Sequence, residues 1–435
     1  MAASLQNPMQ YMTDLLNLRR VFVAALCLLC QMATLAAPPV TAMQQHQIDS
    51  LEQVLKQQKG EELRSSSKAL FMLYYVTGST DKALKLLDKI IAINDELGDE
   101  EGSANARWNK IAVLNNSGRY EELENEAPVQ MAWFEQHKIW GRFYQAWQRK
   151  ASAFHDQKKS QTALRVAQQM REDAQRRNND IGKAMAYKQM GIIYADIQQH
   201  REAATAFERS IELLHEDNDS TGMMSGVYDY LCKSLDAQGK YQQELNIAQN
   251  WLKHIQSLAE LRGVGTVYGP LCSCHLARAA ANIGLHNWDT AEKELQLADE
   301  YNRQAVTPLG VGNIYQLRAR LAVATQRPQL ALAYIDSAKV AADNIDADIK
   351  RMEANALLQL GRSDEAARIY RDLLTEKDTT FSRDMRTQLD ELNTLFKVDE
   401  LRMQQKETQL RYILIIGTLV FIALMLSLFF KRRAA

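Results

Sequence analysis

Between residues 184 and 214 apolar and small side chains recur every three or four positions, in two blocks separated by a short polar break. Tyr187, Met190, Gly191 and Tyr194 share one face of a first helix, and Ala203, Phe207 and Ser210 share one face of a second. That spacing predicts two amphipathic helices joined by a tight turn. Gly191 and Ala203 are the telling positions, because two helices can approach closely only where side chains nearly vanish. The small position of the second helix recurs from residue 50 to 374 as Ala83, Leu123, Ala163, Ala203, Glu244, Ala291, Ala331 and Ala366, at intervals of 40, 40, 40, 41, 47, 40 and 35. A beat held over eight units predicts stacked helix pairs, each burying its apolar face against its neighbours. No alternating β-branched run of useful length occurs, so the expected class is all-α.

These offsets resemble the tetratricopeptide repeat (TPR), in which a large residue, a small one and an aromatic on helix A interlock with an alanine and an aromatic on helix B. The period exceeds the usual one of about 34 residues, which implies longer helices. The expected architecture is a TPR α-solenoid of about eight helix pairs over residues 50–375. The large helix-A position reads as Trp108, Trp147, Tyr187, Tyr228, Tyr268 and Tyr315. Gly78, Gly118, Gly239 and Gly361 mark turns where helix A stops and φ turns positive. The run Gly263, Val264, Gly265 aligns with Gly310, Val311, Gly312, which places the seven extra residues of the long interval between Tyr268 and Ala291.

Two apolar runs frame the repeats. Residues 21–30 follow Arg19 and Arg20 and lead into small residues, a pattern that predicts a signal peptide over 1–37 cleaved after Ala36 or Ala37. Residues 412–430 carry no charge and are followed by Lys431, Arg432 and Arg433, which predicts one transmembrane helix and a short cytoplasmic tail, 431–435. Both basic clusters place the repeats on the far side of the inner membrane, in a bacterial periplasm. Between them, over 376–411, Met385, Leu389, Leu392, Phe396, Asp399, Met403, Lys406 and Leu410 follow a heptad spacing. A juxtamembrane coiled coil, and with it a homodimer, is the expectation.

Composition narrows the chemistry. Acidic and basic residues nearly balance, 53 against 52, which gives no support for a nucleic-acid partner. The chain lacks a zincin helix, a nucleophile elbow and a phosphate loop, so neither catalysis nor a cofactor or metal is expected. Asp217 to Gly222 opens like a calcium loop, but Tyr228 stands where the motif needs a bidentate glutamate. With the signal removed, Cys232, Cys272 and Cys274 are an odd set that reads as buried free thiols, a bridge from Cys232 to one of the others being the alternative.

What remains is a groove. In TPR solenoids helix A lines the concave face, and the side chains beside its interlocking positions point into it. Here these are Asn109, Gln148, Ser152, Lys188, Asp229, Lys233, Gln316 and Arg320, with mixed charge. The Lys/Asn pattern of carboxylate-clamp TPRs is not reproduced, since Lys68 is followed four positions on by Met72 and Asn109 by Val113.

The order of parts resembles the sensor half of the membrane histidine kinases and related regulators of Bacteroidota, which join a periplasmic TPR array to a helix like residues 389–407, one span and a cytoplasmic output module. That resemblance implies a sensor or adaptor that binds a peptide or protein in its groove. With only residues 431–435 beyond the span, kinase activity is not among the expectations carried over from the resemblance. A static scaffold for an envelope complex is the alternative.

Overall fold

The computed structural model describes residues 41–216, 222–261, 267–305, 310–341 and 347–377. The signal peptide, the juxtamembrane helix beyond residue 377, the transmembrane helix and the tail expected from the sequence all lie outside the described residues, as do 217–221 of the acidic loop. Among the described residues there is no strand, and no helix is long and apolar enough to cross a membrane.

A first helix, α1 (Ala42–Val54), is followed by eight helix pairs. They are α2 (Gly60–Val76) with α3 (Thr80–Leu97), α4 (Glu100–Asn116) with α5 (Tyr120–Gln136), α6 (Trp140–Asp156) with α7 (Ser160–Arg176), and α8 (Asp180–Asp196) with α9 (His200–Glu216). Then come α10 (Met224–Ala237) with α11 (Tyr241–Leu261), α12 (Tyr268–Gly284) with α13 (Trp288–Gln304), α14 (Val311–Ala324) with α15 (Pro328–Ala341), and α16 (Ala347–Gln359) with α17 (363–377). The chain is thus an all-helical, TPR-like solenoid.

The turn inside each pair sets the register. Gly78, Gly118, Lys158, Gln198, Gly239, His286, Gln326 and Gly361 all have φ between 58° and 75°. In each turn the next residue donates its N–H to a carbonyl five residues back, as in Gln199 to Tyr194 (2.8 Å) and Asn287 to Asn282 (2.9 Å). This Schellman closure satisfies carbonyls that the end of helix A would otherwise orphan. Five residues after each left-handed residue stands the small helix-B position, from Ala83 to Ala366, and all eight are buried. Only four of the eight turns use glycine. A side chain in the left-handed region costs about 1–2 kcal/mol, partly offset by the extra freedom glycine has when unfolded. Gln198→Gly is therefore expected to raise stability by about 0.5–1 kcal/mol, read as a shift in denaturation midpoint.

Burial follows the interlock. In pair four, a Cβ added at Gly191 would lie 2.5 Å from the Phe207 ring, and the Ser210 hydroxyl donates to the Ala184 carbonyl at 2.9 Å. Phe207, Ala203 and Leu214 join Met224, Leu231 and Trp251 of pair five in one apolar cluster, so each pair is roofed by the next.

The shared register corrects two readings from the sequence. Eleven residues before the left-handed position stand Trp147, Tyr187, Tyr228 and Tyr315, but also Arg107 and His275, not Trp108 and Tyr268. The aromatic at 108 drew the alignment one residue too far, and the repeated Gly-Val-Gly drew Tyr268 seven residues away from its true equivalent. The extra residues accordingly do not lengthen the sixth hairpin, whose two helices have ordinary length. They lie upstream, in the 21-residue α11 and the connection that follows it.

Candidate functional site: the inner face of the A helices

From the second pair onward, each A helix packs against the A helix of the next pair, whereas the B helices are splayed apart. The A helices therefore line the concave side. Ten and six residues before the left-handed turn stand two rows of side chains on that side, filled at pair six by the buried Leu276 and Ala280. Gln148, Lys188, Asp229 and Gln316 hold the first row, and Ser152, Lys233 and Arg320 hold the second. Asn109 falls one residue outside these rows; its place is taken by Trp108, for the reason given above.

Several of these groups are tied to neighbouring helices. The Ser152 hydroxyl donates to Gln189 Oε1 of the next A helix at 3.2 Å, and Lys233 pairs with Asp229 one turn back at 2.7 Å. Arg320 makes a two-pronged bond to Asp236, both prongs 2.9 Å, and its guanidinium lies 6.0 Å from the Tyr241 ring centre. That bond joins pair seven to pair five across pair six, where Ala280 occupies the row equivalent to Arg320.

Beside this bridge lies Glu244, the one charged residue in the small helix-B row. It is 1% exposed, and its Oε2 has no hydrogen-bond partner. Burial, reinforced by the Asp236 charge and opposed by Arg320, pushes its carboxyl up to about 9. It is therefore neutral at physiological pH.

At the other end, Trp108 carries two guanidiniums over its ring, Arg142 at 5.5 Å and Arg149 at 5.7 Å. Arg142 donates to Asn105 Oδ1 (2.6 Å) and Gln145 Oε1 (2.9 Å), both neutral amides. Sequence reading missed this trio because Trp108 had been assigned to the interlock.

The buried polar groups elsewhere are structural. His275, in the large helix-A position, bonds through Nδ1 to Glu294 Oε2 at 2.6 Å, and Arg278 closes on the same carboxylate at 2.7 Å. Cys232, Cys272 and Cys274 are free and buried, and desolvation pushes their thiols up, Cys272 to about 11 and Cys274 to about 12. Protonated and enclosed, they are poor nucleophiles and poor metal ligands. No cluster of metal-ligating side chains occurs among the described residues. His286 is a turn residue, with φ 62°.

A cleft of about 360 Å³ opens between α5, α6 and α7, over Pro128, Met131, Phe143, Trp147 and Val166. At one end its rim charge is compensated internally, since Arg177 pairs with Asp173 (2.8 Å) and Glu135 (2.6 Å) and stacks on Trp140 at 4.7 Å. On the inner face, among the described residues, Arg142 bonds to amide oxygens and to no carboxylate.

No protein-family model matches the chain, and no curated protein matches it. Among solved structures it is similar to a tetratricopeptide repeat protein from Parabacteroides merdae, at 13% identity over 68% of this chain and 98% of that one, with a TM-score of 0.41. It is also similar to the apo form of the quorum sensor NprR from B. thuringiensis, at 13% identity over 69% and 98% of the two chains, with a TM-score of 0.42. RapI in its apo form matches at 14% identity over 64% and 97%, with a TM-score of 0.41. The repeat architecture of the present chain rests on its own eight helix pairs and the register they share.

Proposed function

We propose that the protein is a recognition module that binds a peptide or protein along the concave face of its A helices, and that it does so as a membrane-anchored periplasmic sensor or adaptor. The observation that carries binding is the double row from Trp108 and Gln148 to Arg320. The interlocking positions are spent on packing, while in pairs three, four, five and seven these rows carry amide, hydroxyl, ammonium, carboxylate and guanidinium groups. An extended ligand could meet one or two of them per repeat. The role is recognition without chemistry.

Anchoring is supported by the uncharged run 412–430 and its basic flank, and periplasmic placement by Arg19, Arg20 and the same flank. The heptad pattern of 376–411 supports relay through a dimer. Alkaline phosphatase inserted into the loop after Glu216 is expected to be active, and the same enzyme fused after Ala435 silent; the opposite pattern contradicts the placement. For binding, a displayed library of short random peptides is panned on the full-length protein in lipid nanodiscs. Enriched sequences are expected to lose binding in a Lys188→Glu, Gln148→Glu variant. Enrichment indifferent to both changes contradicts the assignment of the face.

A further inference from the structure

We propose that the cleft between α5, α6 and α7 is a binding site for a small organic acid, one that joins a carboxylate to an aryl or branched alkyl group, with Lys150 holding the carboxylate. The site is separate from the concave face. Lys150 lies two residues from both Gln148 and Ser152, about 200° away around the helix, so it stands on the opposite side of α6, between the two flanking B helices. It lines the cleft together with Pro128, Met131, Phe143, Trp147 and Val166.

The shared register shows what is unusual about it. Lys150 stands eight residues before the left-handed turn, and the same position is charged in four other pairs, as Lys110, Arg278, Arg318 and Glu353. Each of those four meets an opposite charge. Lys110 pairs with Asp88 at 2.8 Å and Glu126 at 2.9 Å, and Arg278 with Glu294 at 2.7 Å. Arg318 pairs with Asp299 at 3.1 Å and, with the signs exchanged, Glu353 with Lys339 at 2.8 Å. All of these partners come from three places: eight residues after the turn on the pair's own B helix, and ten or thirteen residues after it on the preceding B helix. In pair three the same three places hold Val166, Pro128 and Met131. Among the described residues, the Lys150 ammonium has neither an ion pair nor a hydrogen bond. Packing does not require a cation here, since Leu70, Met190 and Leu231 fill the position in the remaining pairs.

The three substitutions that remove the counter-charge also supply the apolar floor of the cleft. The two carboxylates along its rim, Asp173 and Glu135, are both engaged by Arg177 and do not compete for Lys150. Phe143 and Trp147 meet edge to face at 5.7 Å and form one wall. A volume of about 360 Å³ lies at the lower end of the range for small-ligand sites. A ring or branched chain against Trp147, Met131 and Val166 would exclude water from the half-buried ammonium, and an ion pair made there is stronger than one in open solvent. An uncharged ligand would leave Lys150 unmatched, and an acid without the apolar group would leave the floor wet.

The test titrates the full-length protein in lipid nanodiscs with para-fluorophenylacetate at neutral pH, followed by fluorine NMR, with protein-free nanodiscs as the blank for partition into lipid. Saturable binding above the blank is expected, and para-fluorophenylacetamide and trifluoroacetate should each bind at least about tenfold more weakly. Lys150→Met should weaken the acid about ten- to hundredfold, the worth of a hydrogen bond between charged groups, while Lys150→Arg keeps most of the binding. Val166→Glu is the sharper variant. It places beside Lys150 the carboxylate that pairs two and six carry in this row, so binding should be lost with the lysine still present, whereas the uncharged Val166→Gln should lose less. Thermal melts followed by circular dichroism confirm that each variant is folded.

Binding no greater than the blank, binding matched by the amide or by trifluoroacetate, or binding that survives both Lys150→Met and Val166→Glu overturns the site. None of these changes touches the inner rows, so the reading of the concave face is tested separately.

Discussion

Gly191→Leu is expected to destabilise the fourth helix pair by at least about 2 kcal/mol, the upper part of the range for overpacking a filled interior. Two effects oppose each other at this position. Replacing glycine inside a helix gains about 1 kcal/mol from backbone entropy. Against this, the first added carbon would meet the fully buried Phe207 ring at 2.5 Å, and the ring is boxed in by Ala203, Leu214 and Tyr230. For Gly191→Ala the overlap already outweighs the backbone gain, and for leucine the steric term is larger still. Gly141 is the control, because it lies in the first turn of α6 with nothing within 4 Å of an added Cβ. Gly141→Ala is expected to stabilise by up to about 1 kcal/mol. Urea denaturation of the three variants decides the matter, and a Gly191→Leu protein as stable as its parent would show that α8 and α9 do not meet at this point.

Glu244→Gln is expected to remove a pH dependence that the wild type carries. The carboxyl titrates near 4.5 in an unfolded chain and near 9 when buried beside Asp236. Below pH 4.5 it is protonated in both states and costs no extra stability on this account. As pH rises from 4.5 to 9 the unfolded chain releases the proton and the folded one keeps it, so stability falls by up to about 1.4 kcal/mol per pH unit. Between pH 6 and pH 8 the wild type should therefore lose about 2–3 kcal/mol more than Glu244→Gln. Alanine, which fills the same row at six other pairs, should abolish the slope equally. Parallel pH profiles for wild type and both variants would mean that the carboxyl is ionised in the folded state, with Arg320 as its partner.

The fold was legible because it is written twice, once in the small residue of helix B and once in the turn five residues earlier. Ala203 and Gly191 announced the close approach that Phe207 occupies. Four turns were hidden, since Lys158, Gln198, His286 and Gln326 adopt a left-handed conformation without glycine, and no local signal distinguishes them from ordinary polar residues. The site was less legible for a related reason. A tryptophan at helical spacing reads as core, so Trp108 was placed in the interlock where Arg107 belongs, and Asn109 was carried onto the inner face in its stead. Counting twenty residues from one helix start to the next would have placed both. Glu244 was visible as an oddity in its row, but its lack of a partner, and the Arg320 to Asp236 bridge beside it, depend on residues 84 positions apart meeting across a whole helix pair. No pattern along the chain encodes that.

The claim that the A helices present the ligand surface is tested most directly by photo-crosslinking in living cells. A benzophenone amino acid is placed singly at Gln148, Lys188, Asp229 and Gln316 on the inner row, and at Gln169, Glu208 and Glu292 on the B helices, in the full-length protein. Crosslinks to one partner at the inner positions, absent from the B-helix positions, are the result predicted. Crosslinks confined to the B-helix positions would contradict it.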